Sequence, residues 1–169
     1  MDADLLTRVR HVHSASMFLQ PKLAPHLPEV FRRARAGGAT CSLDTNWDPA
    51  ERWTGVLPLL EHTDVLFPNV VELLALTGGL DLDDAARRVV SLGCTVALKN
   101  GASGGILWTD TETMTEPASP VDAVDTTGAG DVHTGAFLAC LLRGASAVEA
   151  ARRANAVAAR WVATGSYGG

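Results

Sequence analysis

The chain has 169 residues, the size of one ordinary domain and long enough to bury a core. Hydrophobic residues make up 47% and charged residues 20%, which excludes the composition of a disordered chain. The net charge of −5 advertises no basic face, so nucleic acid is not an expected partner, and an acidic ligand would be held by local devices such as helix N-termini.

Short apolar runs alternate with helical stretches. Val12 to Ser16 reads as a strand, and Leu27 to Ala36 as a helix closed by Gly37-Gly38. Ala39 to Asp44 is a second strand, Trp53 to His62 is predicted helical, and Asp64 to Phe67 is a short buried strand. A helix follows Pro68-Asn69 and stops at Gly78-Gly79. Asp81 can N-cap another, with Ala85, Ala86, Val89, Val90 and Leu92 as its apolar face. Thr95 to Lys99 is a strand, and a glycine-rich turn leads into Ile106-Leu107-Trp108. Thr109 to Glu116 reads as an exposed polar loop or hairpin. Beyond Val121 the chain turns through Asp125 to Asp131, and two apolar helices broken near Gly144 finish it. Such alternation predicts an α/β sheet with right-handed crossovers. No internal repeat, linker or low-complexity segment interrupts it, so residues 1–169 read as one domain or one piece of one.

The cysteines, Cys41, Cys94 and Cys140, are odd in number and form no C-x-x-C pair. They read as buried thiols of a reducing, cytoplasmic compartment. No apolar run approaches the roughly 18 residues of a membrane span, and Met1-Asp2-Ala3-Asp4 lacks the order of a signal peptide. His11 and His13 share one face of a strand by period two, and further metal ligands are not evident.

The sharpest chemical signal is Asp125-Thr126-Thr127-Gly128-Ala129-Gly130-Asp131. Small residues let a ligand approach the backbone closely. The helix that starts there presents unpaired N–H groups and the positive end of its dipole, a seat for a phosphate or a developing oxyanion. Asp131 lies in the first turn, beside that seat. An anion hole with an adjacent carboxylate suits deprotonation of a hydroxyl that attacks a phosphoryl group. On spacing alone, a plain glycine turn with Asp131 as a helix starter fits equally well.

In Asn69-Val70-Val71-Glu72, Asn at the N-cap and Glu at N3 spell a capping box. Lys99-Asn100-Gly101-Ala102-Ser103-Gly104-Gly105 is, on its own, a turn between strands. Asp44-Thr45-Asn46-Trp47-Asp48 has oxygens at calcium-loop positions, but Pro49 occupies the place that needs Gly and Gly55 the place that needs Glu. A P-loop is excluded because G-x-x-x-x-G-K-[ST] is absent and the lysines are Lys22 and Lys99. The Gly128-Ala129-Gly130 run lacks the third glycine of a dinucleotide fingerprint and falls late in the chain.

The heptapeptide ending at Asp131, continued by Gly135-Ala136-Phe137-Leu138, resembles the C-terminal signature of the ribokinase-like (PfkB) family of carbohydrate and nucleoside kinases. The stretch Phe67-Pro68-Asn69-Val70-Val71-Glu72 is similar to that family's N-x-x-E motif. The Lys99–Gly105 turn and Asn155 fall in the family's order. The resemblance implies a Rossmann-like, ribokinase-type sheet with flanking helices, and a kinase moving the γ-phosphoryl of ATP to a sugar hydroxyl. It implies Asp131 as base and Gly128, Ala129 and Gly130 as anion hole. Asn69, Lys99, Asn100, Gly101, Ala102, Ser103, Gly104, Gly130 and Asn155 would then bind the nucleotide. Glu72, Asp125 and Thr127 would serve Mg²⁺, with a monovalent cation such as K⁺ as a further expectation. Asp44, Asn46 and Asp131 would border the acceptor. Two departures stand out: His133 replaces a usual Phe, and Asp48 replaces the Arg of a D-x-N-x-R stretch, which calls into question a contact from that position to an anionic sugar.

The resemblance reaches only the C-terminal half or somewhat more of a family member. The family's first strands, small β lid and Gly-Gly substrate turn have no counterpart in the sequence, whose tail, Gly165 to Gly169, ends close to the nucleotide-site loop. The chain is therefore expected to be the nucleotide-binding and catalytic part of such a kinase, open to a homodimer, and by itself weak in ATP binding and near background in turnover. An inactive nucleotide-binding remnant and a nucleoside kinase are the alternatives.

Overall fold

A computed structural model describes residues 3–6, 8–79 and 81–165. The expectations for Met1-Asp2 and for the tail beyond Gly165 lie outside the described residues. The chain forms two compact units, Met1–Leu98 with Trp108–Glu112, and Lys99–Leu107 with Thr113–Gly169.

The first unit is a parallel α/β layer. Its strands are β1 (His11–Ala15), β2 (Thr40–Asp44), β3 (Val65–Leu66) and β4 (Thr95–Lys99), hydrogen-bonded in chain order and all parallel. The helices are α1 (Ala3–Leu6), α2 (Leu27–Ala36), α3 (Val56–Leu60), α4 (Val70–Thr77) and α5 (Leu82–Val90). Each helix between strands returns the chain to the start of the next, as parallel pairing requires. Phe31, Leu43, Leu59, Leu60, Leu66, Phe67, Leu73 and Leu98 are wholly or almost wholly buried and form the core.

Capping sets the helix boundaries. The Asp81 side chain accepts from the amides of Asp83 and Asp84, starting α5 where its sequence predicts. Opposite that helix start, Trp108 Nε1 donates to Asp83 Oδ1 at 3.1 Å. The helix predicted from Trp53 begins only at Val56, because Trp53 and Gly55 take left-handed φ of 51° and 82°. The Asp48 carboxylate, 4% exposed, causes this detour by accepting the backbone N–H groups of Ala50, Arg52 and Trp53 at 2.8–2.9 Å. Strand β3 likewise shrinks to two residues, as Pro68 removes a ladder donor and Asn69 turns to cap α4.

Cys41 and Cys94 are buried, as expected of inert thiols, and Cys140 is half-buried. Burial, reinforced by the Asp64 charge, pushes the Cys41 thiol up to about 12. His11 and His13 both reach the Ser42 hydroxyl, at 2.8 Å each, tying β1 to β2.

The second unit pairs β5 (Gly105–Trp108) with β6 (Thr113–Glu116) and packs α6 (Ala129–Leu141) on α7 (Ala147–Thr164). The polar segment before Glu116 is thus a hairpin, closed by Thr109 N–H on the Glu112 carbonyl. Ala150, Ala151 and Ala154 give α7 a buried small-residue face against α6, whose Phe137 and Leu138 are also buried. No helix among the described residues is long and apolar enough to cross a membrane.

Candidate active site

In the first unit, two groups of predicted site residues lie at or just past the carboxyl ends of parallel strands, where open α/β sheets hold ligands. Asp44 ends β2 and is 1% exposed. Asn46, in a left-handed turn at φ 51°, donates its side-chain amide to Ser16 Oγ at 2.8 Å. Ser16 is left-handed too, and its N–H reaches the Asp44 carbonyl at 2.8 Å. The loop ends after β1 and β2 are thus locked together around the two acceptor candidates. Trp47 stacks edge-on against Trp53 with centroids 5.2 Å apart, and is 42% exposed. Asp48 is committed to its own loop backbone.

Asn69 and Glu72 follow β3. Both halves of the capping box are present, Glu72 N–H to Asn69 Oδ1 at 2.8 Å and Asn69 N–H to Glu72 Oε2 at 2.9 Å.

The other predicted residues belong to the second unit. Lys99 ends β4, and the chain then turns through a 3₁₀ segment, Gly101–Ser103, closed by Asn100 N–H on the Gly104 carbonyl at 2.9 Å. Gly104 has φ 92°, and a Cβ there would overlap the Glu116 carbonyl oxygen and lie 2.5 Å from the Ala118 nitrogen. Only glycine fits. Asn155 directs its amide to the Glu116 carbonyl at 3.4 Å, so in this structure it braces the segment behind that turn.

The Asp125–Asp131 turn has the layout expected of an anion seat. Asp125 Oδ1 accepts the Thr127 N–H at 2.8 Å, and that bond, with a second from the Thr127 hydroxyl, holds the carboxyl below its ordinary pKa. Gly128 takes φ 75° and starts α6. Ala129 N–H goes back to the Thr126 carbonyl, and Val132 N–H opens the helical ladder on Gly128. Between them, the amides of Gly130 and Asp131 find no acceptor among the described residues. Lys99 reaches the same place, since its Nζ lies 3.6 Å from where a Cβ on Gly130 would stand. A cation, two open N–H groups, a helix N-terminus and the exposed Asp131 carboxylate thus meet at one turn. His133 is buried with its ring centroid 6.4 Å from that of Phe137, on the packed side of α6.

No group of three or more His, Cys, Asp or Glu side chains that could hold a metal occurs among the described residues. Glu72 and Asp125 are hard oxygen donors of the kind Mg²⁺ takes, each also holding a backbone N–H. Each, within its own unit, suits an ion that brings most of its own ligands, as a nucleotide-bound Mg²⁺ does. A residue the sequence reading passed over is Trp161, whose Nε1 donates to the Thr127 carbonyl at 2.7 Å. The one sequence signal for it is a lone aromatic in the alanine-rich final helix.

The chain matches the pfkB family carbohydrate kinase description over residues 1–167. It is 33% identical over 165 residues to an ATP-dependent ribose-1-phosphate kinase of Halopiger xanaduensis, covering 94% of this chain and 50% of that protein. It is 30% identical over 141 residues to a fructokinase of Vibrio alginolyticus, covering 79% of this chain and 45% of that one. Among solved structures, a ribokinase II from E. coli in complex with ATP and Mg²⁺ superposes with a TM-score of 0.86 at 28% identity, over 96% of this chain and 55% of that one. The PfkB protein from Polaromonas gives 0.84 at 26% identity, over 97% and 57%. The chain spans about half the length of these relatives, and its six strands with flanking helices form the α/β fold of ribokinase-type proteins. The chain belongs to the pfkB family of carbohydrate kinases.

Proposed function

We propose that this chain is the nucleotide-binding and catalytic part of an ATP-dependent kinase that phosphorylates a sugar hydroxyl. The observation that carries the reading is the turn at Gly128–Asp131, where open amides, the Lys99 ammonium and a carboxylate converge on one helix N-terminus. In this reading Asp131 takes the proton of the acceptor hydroxyl as its oxygen attacks the γ-phosphorus in line. The bond from that phosphorus to the β,γ-bridging oxygen breaks and ADP leaves. The amides of Gly130 and Asp131, the α6 dipole and Lys99 hold the charge that develops on the phosphoryl oxygens. Asn69, the Asn100–Gly104 turn and Asn155 belong to the nucleotide side, and Asp44 and Asn46 to the acceptor side. Glu72 in the first unit, and Asp125 with Thr127 in the second, are each read as oxygen donors that would serve Mg²⁺, which when bound neutralises phosphate charge.

The test has two readouts. ATP·Mg²⁺ binding is measured by calorimetry, and ADP release by a coupled assay over a panel of ribose, ribose 1-phosphate, fructose and nucleosides. Asp131→Asn should lower kcat about 10²- to 10⁴-fold with ATP affinity unchanged. Turnover that survives this substitution would reject Asp131 as the base. ATP binding without acceptor-dependent ADP release would assign the chain nucleotide binding alone.

A further inference from the structure

Trp161 lies on the last turns of α7, at a position none of the chemistry above uses. Its indole N–H donates to the Thr127 carbonyl at 2.7 Å, and its ring lies 3.9 Å from where a Cβ on Gly128 would stand. The next residue of α7, Val162, accepts the N–H groups of Val124 and Asp125 at 2.9 and 3.3 Å. The end of one helix therefore grips the loop that starts the other.

The Thr127 carbonyl matters for two reasons. First, it precedes Asp131 by four residues, so in a continued helix it would accept the Asp131 N–H. Engaged by the indole instead, it leaves that N–H open at the anion seat, and no such bond to Asp131 forms. Second, the peptide is trans, so the Gly128 N–H points opposite to the Thr127 carbonyl. Drawing the carbonyl toward α7 turns that N–H away from it. That indole hydrogen bond thus holds the Thr127 carbonyl outside the ladder, which opens one residue later on Gly128, and sets the direction of the turn's first peptide.

We propose that Trp161 is a positioning residue for the anion seat: its indole N–H keeps the Thr127 carbonyl out of the α6 ladder and so preserves the open amides that a nucleotide phosphate needs. The proposal rests on the nucleotide-binding reading, and its test separates the two.

Trp161→Phe keeps an aromatic ring and removes the N–H. Exchange of the Asp131 amide, open in the wild type, should slow about threefold to tenfold as the freed Thr127 carbonyl joins the α6 ladder, the worth of one neutral hydrogen bond. Amides in the middle of α6 should keep their rates. ATP·Mg²⁺ affinity should fall by a similar factor while the thermal midpoint moves by no more than a few degrees. In the wild-type chain the Trp161 indole N–H should itself be protected from exchange, a measurement that needs no variant. An indole proton that exchanges at the solvent rate overturns the proposal. So does a Trp161→Phe chain with unchanged turn exchange, or one that loses midpoint but not affinity. If the wild type binds no ATP·Mg²⁺, the nucleotide reading fails, and the exchange data alone decide whether Trp161 sets the turn.

Discussion

Asn69 and Glu72 cap α4 reciprocally, each side chain holding the other's backbone N–H at 2.8–2.9 Å. Both are therefore structural before any ligand arrives, and Glu72 is only 5% exposed. A role toward Mg²⁺ must be measured on top of the cap and cannot be read from loss of stability.

Glu72→Gln separates the two roles. The Gln carbonyl can still accept the Asn69 N–H, so the stability change should stay within about 0.5 kcal/mol, against about 1 kcal/mol for Glu72→Ala. The Mg²⁺ concentration needed for half-maximal ATP binding should rise severalfold in Glu72→Gln. A chain that loses stability and keeps its Mg²⁺ dependence would leave Glu72 with the cap alone.

Asp48 should act as a buried staple. Its carboxylate accepts the backbone N–H groups of Ala50, Arg52 and Trp53. Burial raises its pKa, but the bonds from Ala50, Trp53 and Arg52, with the Arg52 charge, outweigh this and hold the carboxyl below its ordinary value. A carboxyl held low in the folded chain contributes stability that is complete above its ordinary pKa. That stability is lost as pH falls through the lowered value. Asp48→Asn should cost roughly 1–3 kcal/mol near neutrality, and its difference from wild type should shrink as melts are taken down to about pH 3. A difference that does not change with pH would show that the charge is not what holds the loop.

The same residue explains where sequence reading fell short. Helices α2 and α5, and strand β4, lie where their local signals put them: a Gly pair after Ala36, Asp81 before Leu82, a short apolar run after Thr95. The start of α3 was not legible, because Asp48 pulls Trp53 out of the helix through backbone bonds that no periodicity encodes. The site divides the same way. The Gly128–Asp131 turn is a local device and was readable from small residues before a helix. The approach of Lys99 to Gly130, and of Trp161 to Thr127, joins elements far apart in the chain and leaves no local pattern.

Two glycines with nearly equal φ should respond differently to a methyl group. Gly104 and Gly144 have φ of 92° and 89°. Beyond Gly144 nothing stands within 4 Å of a Cβ, so Gly144→Ala should cost about 1 kcal/mol from conformation alone. At Gly104 the methyl would run into the backbone of Glu116, Pro117 and Ala118, which cannot swing aside. Gly104→Ala should therefore cost at least about 3 kcal/mol. Comparable thermal midpoints for the two variants would contradict the close approach.

Lys99 offers a test of the anion seat. Its ammonium lies over Gly130, at the N-terminus of α6, the end of the helix that disfavours a positive charge. Replacing it with an uncharged chain of similar length removes that mismatch. The thermal midpoint of ligand-less Lys99→Met shows what the lysine contributes to the fold. An anionic phosphate seated at the same turn would reverse the balance, since the ammonium then lies beside negative charge and can donate to it. ATP·Mg²⁺ affinity of Lys99→Met should fall about 10- to 100-fold, the worth of a charge-assisted hydrogen bond. Its dependence on salt should flatten, because one ionic contact is gone. Lys99→Arg should keep the salt dependence, as the charge remains. If Lys99→Met instead lowers the midpoint and leaves ATP affinity intact, the lysine serves the fold, and the anion seat must rely on the amides of Gly130 and Asp131 alone.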